Sequence, residues 1–279
     1  MNGNSAFSSG KRKKIQTYPC ECCGSAIKQD IAKCSSCGTW NTPKVQDDGK
    51  DQTILLSEVS PNPIKYIKTG GAWDKCFSQE GGIATVSVTL IGGAPGAGKS
   101  TMALQLSDKI CQITKKEIIY IGTEETAQQI KARASRLGVI NMDRIRIFPM
   151  GANSDLGGIL LSRKPCAVIL DSLPGLTNDP EQAVELCKRF KEYAVELNAP
   201  IIIIDHVTKD DDFAGLMQLQ HAVDTTITIF PDKHGTRQMT TIKNRFGPAN
   251  FSIEMEMTEK GLIEGEEFDE ETDEDWVDD

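Results

Sequence analysis

Gly93, Ala94, Pro95, Gly96, Ala97, Gly98, Lys99, Ser100 and Thr101 set glycines before a lysine and a hydroxyl at the G-x-x-x-x-G-K-[ST] spacing. Residues in this order hold phosphate: glycines let backbone N–H groups curl around the oxygens, and a helix N-terminus beyond them adds partial positive charge. Lys99 would reach the β and γ phosphates of ATP, and Ser100 would ligate Mg²⁺. A second metal contact is expected from Asp171, which closes the apolar run Val168-Ile169-Leu170 where the ligands of a parallel sheet collect. Hydrolysis also needs a group to orient water. Glu124 and Glu125 both follow Ile118–Ile121, and the residue types alone leave the choice between them open.

A second chemistry lies near the N-terminus. Cys20-Glu21-Cys22-Cys23-Gly24 and Cys34-Ser35-Ser36-Cys37-Gly38 form two C-x-x-C-G units. Four thiolates so spaced suit a closed, tetrahedral, structural Zn²⁺ site with Cys20, Cys23, Cys34 and Cys37 as ligands, each glycine permitting the tight turn behind its pair. Cys22 is a spare thiol that could compete with Cys20. A redox C-x-x-C is the rival reading, and duplication over so short a span counts against it. Cys76, Cys111, Cys166 and Cys187 lie in or beside apolar segments and read as small buried side chains.

The elements that must carry these residues alternate along the chain. Apolar runs at Val86–Ile91, Ile118–Ile121, Ile145–Phe148, Ala167–Leu170 and Ile201–Ile204 read as strands buried on both faces. Helical spacing separates them. Ala103, Leu106, Ile110 and Ile113 share one face after the phosphate loop; Ala183, Cys187, Phe190, Ala194 and Leu197 share another, with Pro180 at its start and Pro200 past its end. Such a β-α-β succession predicts an α/β fold with a mostly parallel central sheet. Thr225–Phe230, Gln238–Lys243 and Phe251–Met257 come with short connections, which predict antiparallel strands at a sheet edge.

Composition bounds the rest. A chain of 279 residues accommodates one full α/β core plus a small appendage. No run approaches the ~18 to 20 apolar residues of a membrane span, and the polar Met1–Gly10 stretch lacks a signal peptide's apolar centre, so a cytoplasmic protein is expected. The net charge is −9, but residues 264–279 hold eleven acidic and no basic side chains; setting them aside leaves about +2. Residues 1–45 carry seven basic side chains against Glu21 and Asp30, which points toward nucleic acid at that end.

With these residues assembled, the chain from the cysteines to about Gly261 resembles the RadA/Sms family of DNA repair and recombination ATPases, motors of the RecA/DnaB type. The resemblance rests on Cys34-Ser-Ser-Cys-Gly-Thr-Trp-Asn-Thr42, on Ile91–Thr101, on Gln129–Gly138 and above all on Lys243-Asn244-Arg245-Phe246-Gly247. It implies a RecA-like P-loop NTPase core with a small N-terminal zinc ribbon. It also assigns the water-orienting role to Glu124 rather than Glu125, a γ-phosphate-sensing role to His206, and action at a neighbouring subunit's ATP site to Lys243 and Arg245. Ala214-Gly215 is similar to the start of the family's DNA-contacting loop, read here over Thr208–Leu219, but Leu216-Met217 stands where the family has Pro-Arg. The family carries a Lon-protease-like domain after the motor, and acidic residues from Glu264 stand there in this sequence, so the resemblance leads us to expect a compact form.

The organisation expected is therefore a disordered basic segment (1–19), a four-cysteine zinc module (20–42), a linker (43–52), the ATPase core (53–263) and an acidic disordered tail (264–279) that docks a replication or recombination protein. The function implied is an ATP-dependent translocase or helicase on single-stranded or branched DNA, assembled as a ring, read as a hexamer, or as a filament. A strand-exchange or annealing protein and a nucleotide-controlled adaptor are the alternatives.

Overall fold

The computed structural model describes residues 17–20, 22–28, 34–39, 55–59, 64–149, 155–206, 213–232 and 235–264. The chain divides into two compact units, Met1–Asn62 and Pro63–Asp279. In the first, β1 (Thr17–Pro19) and β2 (Ala26–Lys28) pair as an antiparallel hairpin in which Tyr18 lies opposite Ile27. Thr17 and Tyr18 are thus in a strand, not in the disordered segment expected there: the hairpin supplies backbone partners that the polar local sequence does not announce.

The second unit carries β3 (Tyr66–Ile67), α1 (Asp74–Phe77), β4 (Ile83–Ala84), β5 (Val88–Gly93), α2 (Lys99–Thr114), β6 (Ile118–Gly122), α3 (Ala127–Arg136) and β7 (Ile145–Pro149). Then come α4 (Leu156–Arg163), β8 (Val168–Asp171), α5 (Pro180–Leu197), β9 (Ile201–Ile204), α6 (Phe213–Ala222), β10 (Thr225–Pro231), β11 (Arg237–Asn244), β12 (Ser252–Thr258) and β13 (Gly261–Glu264). Nine strands form one sheet in the order β13-β12-β11-β10-β5-β9-β8-β6-β7. From β10 to β7 every pairing is parallel; from β10 to β13 every pairing is antiparallel.

Alternation within the strands splits the core into two layers, because successive side chains leave a strand on opposite faces. Ile91, Tyr120, Ile169, Ile202 and Ile204 pack with Met102, Leu106 and Ile110 of α2 and Ile130 of α3. Leu90, Ile121, Leu170, Ile201 and Ile203 pack with Phe190 and Ala194 of α5 and Leu219 of α6. Burying a strand on both faces requires uninterrupted aliphatic sequence, and Ile201–Ile204 is four isoleucines. Local signals set the helix ends. Thr126 and Gln129 close a capping box on α3, Asp179 caps α5 ahead of Pro180, and Asn198 ends α5 in the left-handed region.

Four expectations change. Thr225–Phe230 is not purely an antiparallel addition: β10 lies parallel to β5 on one side and antiparallel to β11 on the other, so it turns a parallel sheet into a meander. Ile113, at the margin of the buried arc in the last turn of α2, is 47% exposed. The stretch read as a loop over Thr208–Leu219 is helical from Phe213 onward, and residues 207–212 lie outside the described residues. Finally, Glu264 closes a fourth meander strand, β13, and its Oε1 accepts from Ala72 N–H at 2.5 Å. The basic segment before Thr17, the linker 43–52 and residues 265–279 lie outside the described residues.

Candidate functional site

Gly93 ends β5 with φ 152°, and a Cβ there would stand 2.1 Å from the Ile229 carbonyl oxygen on β10, so backbone packing excludes any side chain. The chain then turns through Ala94–Gly98 into α2, with Gly96 and Gly98 at φ 76° and 104°, inside the left-handed region that glycine tolerates. Pro95 and Gly96 are exposed at the tip and Ala97 is buried beneath it. The first N–H groups of α2, from Lys99 through Thr101, face this loop. Lys99 Nζ folds back to donate to the carbonyls of Gly93 at 2.7 Å and Ala94 at 2.9 Å. Burial lowers the Lys99 pKa from the ordinary lysine value, and the nearby Asp171, Asp205 and Glu124 carboxylates oppose that shift.

The strand order brings the other expected residues to this edge. β5, β9, β8 and β6 are consecutive neighbours, with Ile91 level with Ile204, and Asp171 level with Gly122. Their carboxyl ends therefore present the phosphate loop, His206, Asp171 and Glu124 side by side. Ser100 Oγ donates to Asp171 Oδ1 at 2.9 Å, joining the two hydroxyl and carboxylate groups expected to hold a metal. Glu124 Oε1 lies 3.2 Å from His206 Nε2. Glu125 points elsewhere and pairs with Arg133 of α3. The two adjacent glutamates are thereby separated: one faces the strand edge that carries the phosphate loop, the other is tied to a helix.

The sequence assigns no role to three residues of this cluster. Tyr120 OH donates to Asp171 Oδ2 at 2.5 Å from full burial. Desolvation and then the Asp171 charge hold its pKa well above the ordinary tyrosine value, so the phenol stays a donor. A hydroxyl inside the otherwise aliphatic Ile-Ile-Tyr-Ile strand was the available signal, since a buried phenol requires a partner. Ser172 Oγ donates to Glu124 Oε1 at 2.6 Å, and the Ser172 backbone is bonded to Thr123 Oγ1. Thr123 and Ser172 adjoin Glu124 and Asp171 in sequence, but their own contacts span 48 and 49 positions and have no local signature.

Lys243 and Arg245 do not join the cluster. β11 runs antiparallel to β10, which places Asn244 opposite Thr225, and Thr225 opposite Thr89 near the start of β5. The phosphate loop leaves the other end of β5, four residues or about 13 Å away along the strand. Lys243 Nζ donates to the carbonyls of Gln220 and Val223, the latter at 2.9 Å. Arg245 Nη1 lies 3.2 Å from Asp224 Oδ1, which also accepts from Lys191 Nζ at 2.6 Å.

In the first unit, the Sγ atoms of Cys20, Cys23, Cys34 and Cys37 all lie within 4.8 Å of one another. Cys20 and Cys37, and likewise Cys23 and Cys34, are 3.7 Å apart at sulfur. That is too long for a disulfide, and it matches the edge of about 3.8 Å expected when thiolates surround zinc tetrahedrally at ~2.3 Å. The two knuckles repeat one geometry. Cys20 N–H donates to Ser25 O at 2.8 Å and Gly24 N–H to Cys20 O at 2.9 Å, while Cys34 and Gly38 make the same bonds to Thr39 and Cys34 at 2.9 Å. Gly24 and Gly38 both take left-handed φ, 72° and 74°. Cys22 is exposed and outside the four-sulfur group.

A family described as the KaiC ATPase matches residues 67–147, from β3 through the phosphate loop to β7. The chain is 31% identical over 274 residues to the DNA repair protein RadA of Aquifex aeolicus, and 32% identical over 278 residues to that of Bacillus subtilis. The chain is similar to these RadA proteins. These alignments cover 91% and 90% of it, and it spans about 60% of the length of each relative. Among solved structures, a KaiC-like protein from Pyrococcus horikoshii superposes with a TM-score of 0.62 at 17% identity, covering 73% of this chain and all of that one. The chain has the RecA-like, KaiC-type P-loop fold with a mostly parallel sheet, and its four-cysteine cluster fits an N-terminal zinc ribbon. No helix among the described residues is long and apolar enough to cross a membrane.

Proposed function

We propose that this chain is a DNA-dependent ATPase of DNA repair, recombination or replication that translocates on single-stranded or branched DNA, migrating branches or unwinding them. The observation that carries the reading is the placement of Lys243 and Arg245 at the end of the sheet remote from their own phosphate loop. Cations so placed serve hydrolysis when presented to a neighbouring subunit, as an arginine finger is, which requires a ring or filament of copies. Within one subunit, Gly93–Thr101 cradles the phosphates, Lys99 leaves its carbonyls for the β and γ oxygens, Glu124 orients water, and His206 senses the γ-phosphate through its contact with Glu124. Ser100 and Asp171 would hold Mg²⁺, which when bound neutralises charge developing on the phosphates. Cys20, Cys23, Cys34 and Cys37 would hold a structural Zn²⁺. Residues 265–279 continue the acidic run and would dock a replication or recombination protein.

The test is steady-state ATP turnover at increasing protein concentration, with and without single-stranded DNA. The expected result is stimulation by DNA and a specific activity that rises with concentration. Turnover indifferent to both would remove the motor reading. One observation favours a second reading: Met217, exposed on α6, stands where the resembled family has arginine, so a cationic DNA contact is lost. In that reading the chain is an adaptor whose assembly is controlled by nucleotide, and it leaves a forked duplex intact while still binding ATP.

A further inference from the structure

Ser172 lies outside both the phosphate-loop motif and the Ser100–Asp171 pair, yet it makes the shortest contact that Glu124 has among those described, Ser172 Oγ donating to Glu124 Oε1 at 2.6 Å. We propose that Ser172 is the positioning residue for Glu124: its hydroxyl, with His206 beside it, pins Oε1 and leaves Oε2 to accept a proton from the attacking water. This rests on the reading of Glu124 as the water-orienting group.

The need for such a residue follows from exposure. The Glu124 side chain is 48% exposed at the end of β6, where a free glutamate samples many rotamers and is seldom in the one geometry that lines up a water. Ser172 has the opposite character. It is fully buried, and its peptide is gripped from both sides by Thr123 Oγ1, which accepts from Ser172 N–H at 2.7 Å and donates to Ser172 O at 2.8 Å. Thr123 is itself bonded, N–H to Asp171 O, at 2.8 Å. The ends of β6 and β8 are laced together, so the Ser172 hydroxyl has a fixed origin. His206 supports the same oxygen at 3.2 Å, with its own backbone N–H held by Asp205 Oδ1 at 2.9 Å. Glu125 cannot substitute, because its carboxylate is engaged by Arg133.

In the step served, the water oxygen bonds to the γ-phosphorus while the bond to the β,γ-bridging oxygen breaks, its electron pair leaving with ADP. One water proton passes to Glu124 Oε2 and is later released to solvent. Ser172 exchanges no proton in this sequence.

The geometry makes Ser172→Ala a clean probe, since Thr123 grips only backbone atoms of Ser172 and the substitution leaves those bonds intact. ATP turnover by the full chain and the binding of a fluorescent ATP analogue are measured for Ser172→Ala, Ser172→Cys, Glu124→Gln and the double variant Ser172→Ala/Glu124→Gln. The expected result is a fall in kcat of about 10-fold or more for either Ser172 variant, the thiol being a weak donor, with KM and analogue affinity within about 2-fold of the parent. In the Glu124→Gln background, Ser172→Ala should change single-turnover hydrolysis by less than about 2-fold, because the residues act as one unit. A multiplicative loss in both backgrounds, a loss residing in KM or analogue affinity, or a faster Ser172→Ala enzyme would overturn the proposal. Normal turnover by Glu124→Gln alone would overturn the reading beneath it, and the proposal with it.

Discussion

Arg245 rests on Asp224, Nη1 to Oδ1 at 3.2 Å, but it shares that oxygen with Lys191 at the shorter distance of 2.6 Å. Asp224 is almost fully buried and also accepts from Val88 N–H at 3.1 Å, so the carboxylate stays compensated when the half-exposed Arg245 swings away. The expected consequence is that Arg245→Ala and Lys243→Ala leave ATP binding by isolated subunits nearly intact while lowering turnover, by ~10³-fold or more for the arginine if it acts as a finger. Mixing Arg245→Ala with Lys99→Ala protein should restore turnover, because one variant keeps the phosphate site and the other keeps the cation. Absence of restoration in co-assembled mixtures would show that both groups act within one subunit.

Lys99 and Glu124 should fail in different ways. Lys99→Ala would remove the proposed phosphate contact and is expected to abolish turnover and weaken nucleotide binding. Glu124→Gln keeps binding and should lower turnover by ~10²-fold or more, trapping ATP on the protein. Glu125→Gln loses the Arg133 pair but not the site, and should retain turnover within a factor of about 3. Parallel nucleotide-binding and turnover measurements check all three; an inactive Glu125 variant beside an active Glu124 variant would reverse the assignment.

Tyr120→Phe leaves Asp171 Oδ2 without its buried donor, at a cost of about 1–3 kcal/mol in stability, and should raise the Mg²⁺ concentration needed for half-maximal turnover. The pH dependence has a definite sign. The Tyr120 pKa is raised in the folded state, so the folded chain holds this proton more tightly than the unfolded chain. The contribution is fully present below the ordinary tyrosine value of ~10 and is lost as pH rises above it. Urea unfolding of both proteins at neutral and alkaline pH measures the difference, which should shrink on the alkaline side.

Removing zinc should unfold one unit and spare the other. A structural site contributes roughly 10–16 kcal/mol of binding free energy, which dominates the fold of so small a module. Cys34→Ser or chelation is expected to abolish protection of β1 and β2 in hydrogen exchange while nucleotide binding by residues 63–279 persists. Metal analysis should return one zinc per chain, and Cys22→Ser should keep it, since that sulfur stands outside the cluster.

The sequence by itself determined those features whose physics is local or periodic. The phosphate loop is a contiguous run whose glycines are demanded by backbone conformation, the knuckles are two short turns, and strands buried on both faces must be aliphatic throughout; each could be read within a few residues. Helix α5 was legible for the same reason, from Pro180 to the stripe ending at Leu197. Only the tertiary structure decided which residues meet. Glu124 and Glu125 are equivalent as neighbours in sequence, and they part because the capped start of α3 brings Arg133 to one while Ser172 and His206, 48 and 82 positions on, reach the other. The Tyr120–Asp171 bond likewise spans 51 residues and exists because β8 is laid beside β6. The distance of Lys243 and Arg245 from their own phosphate loop follows from β10 pairing parallel to β5 and antiparallel to β11, a register that no single segment encodes because it is set by pairing between strands.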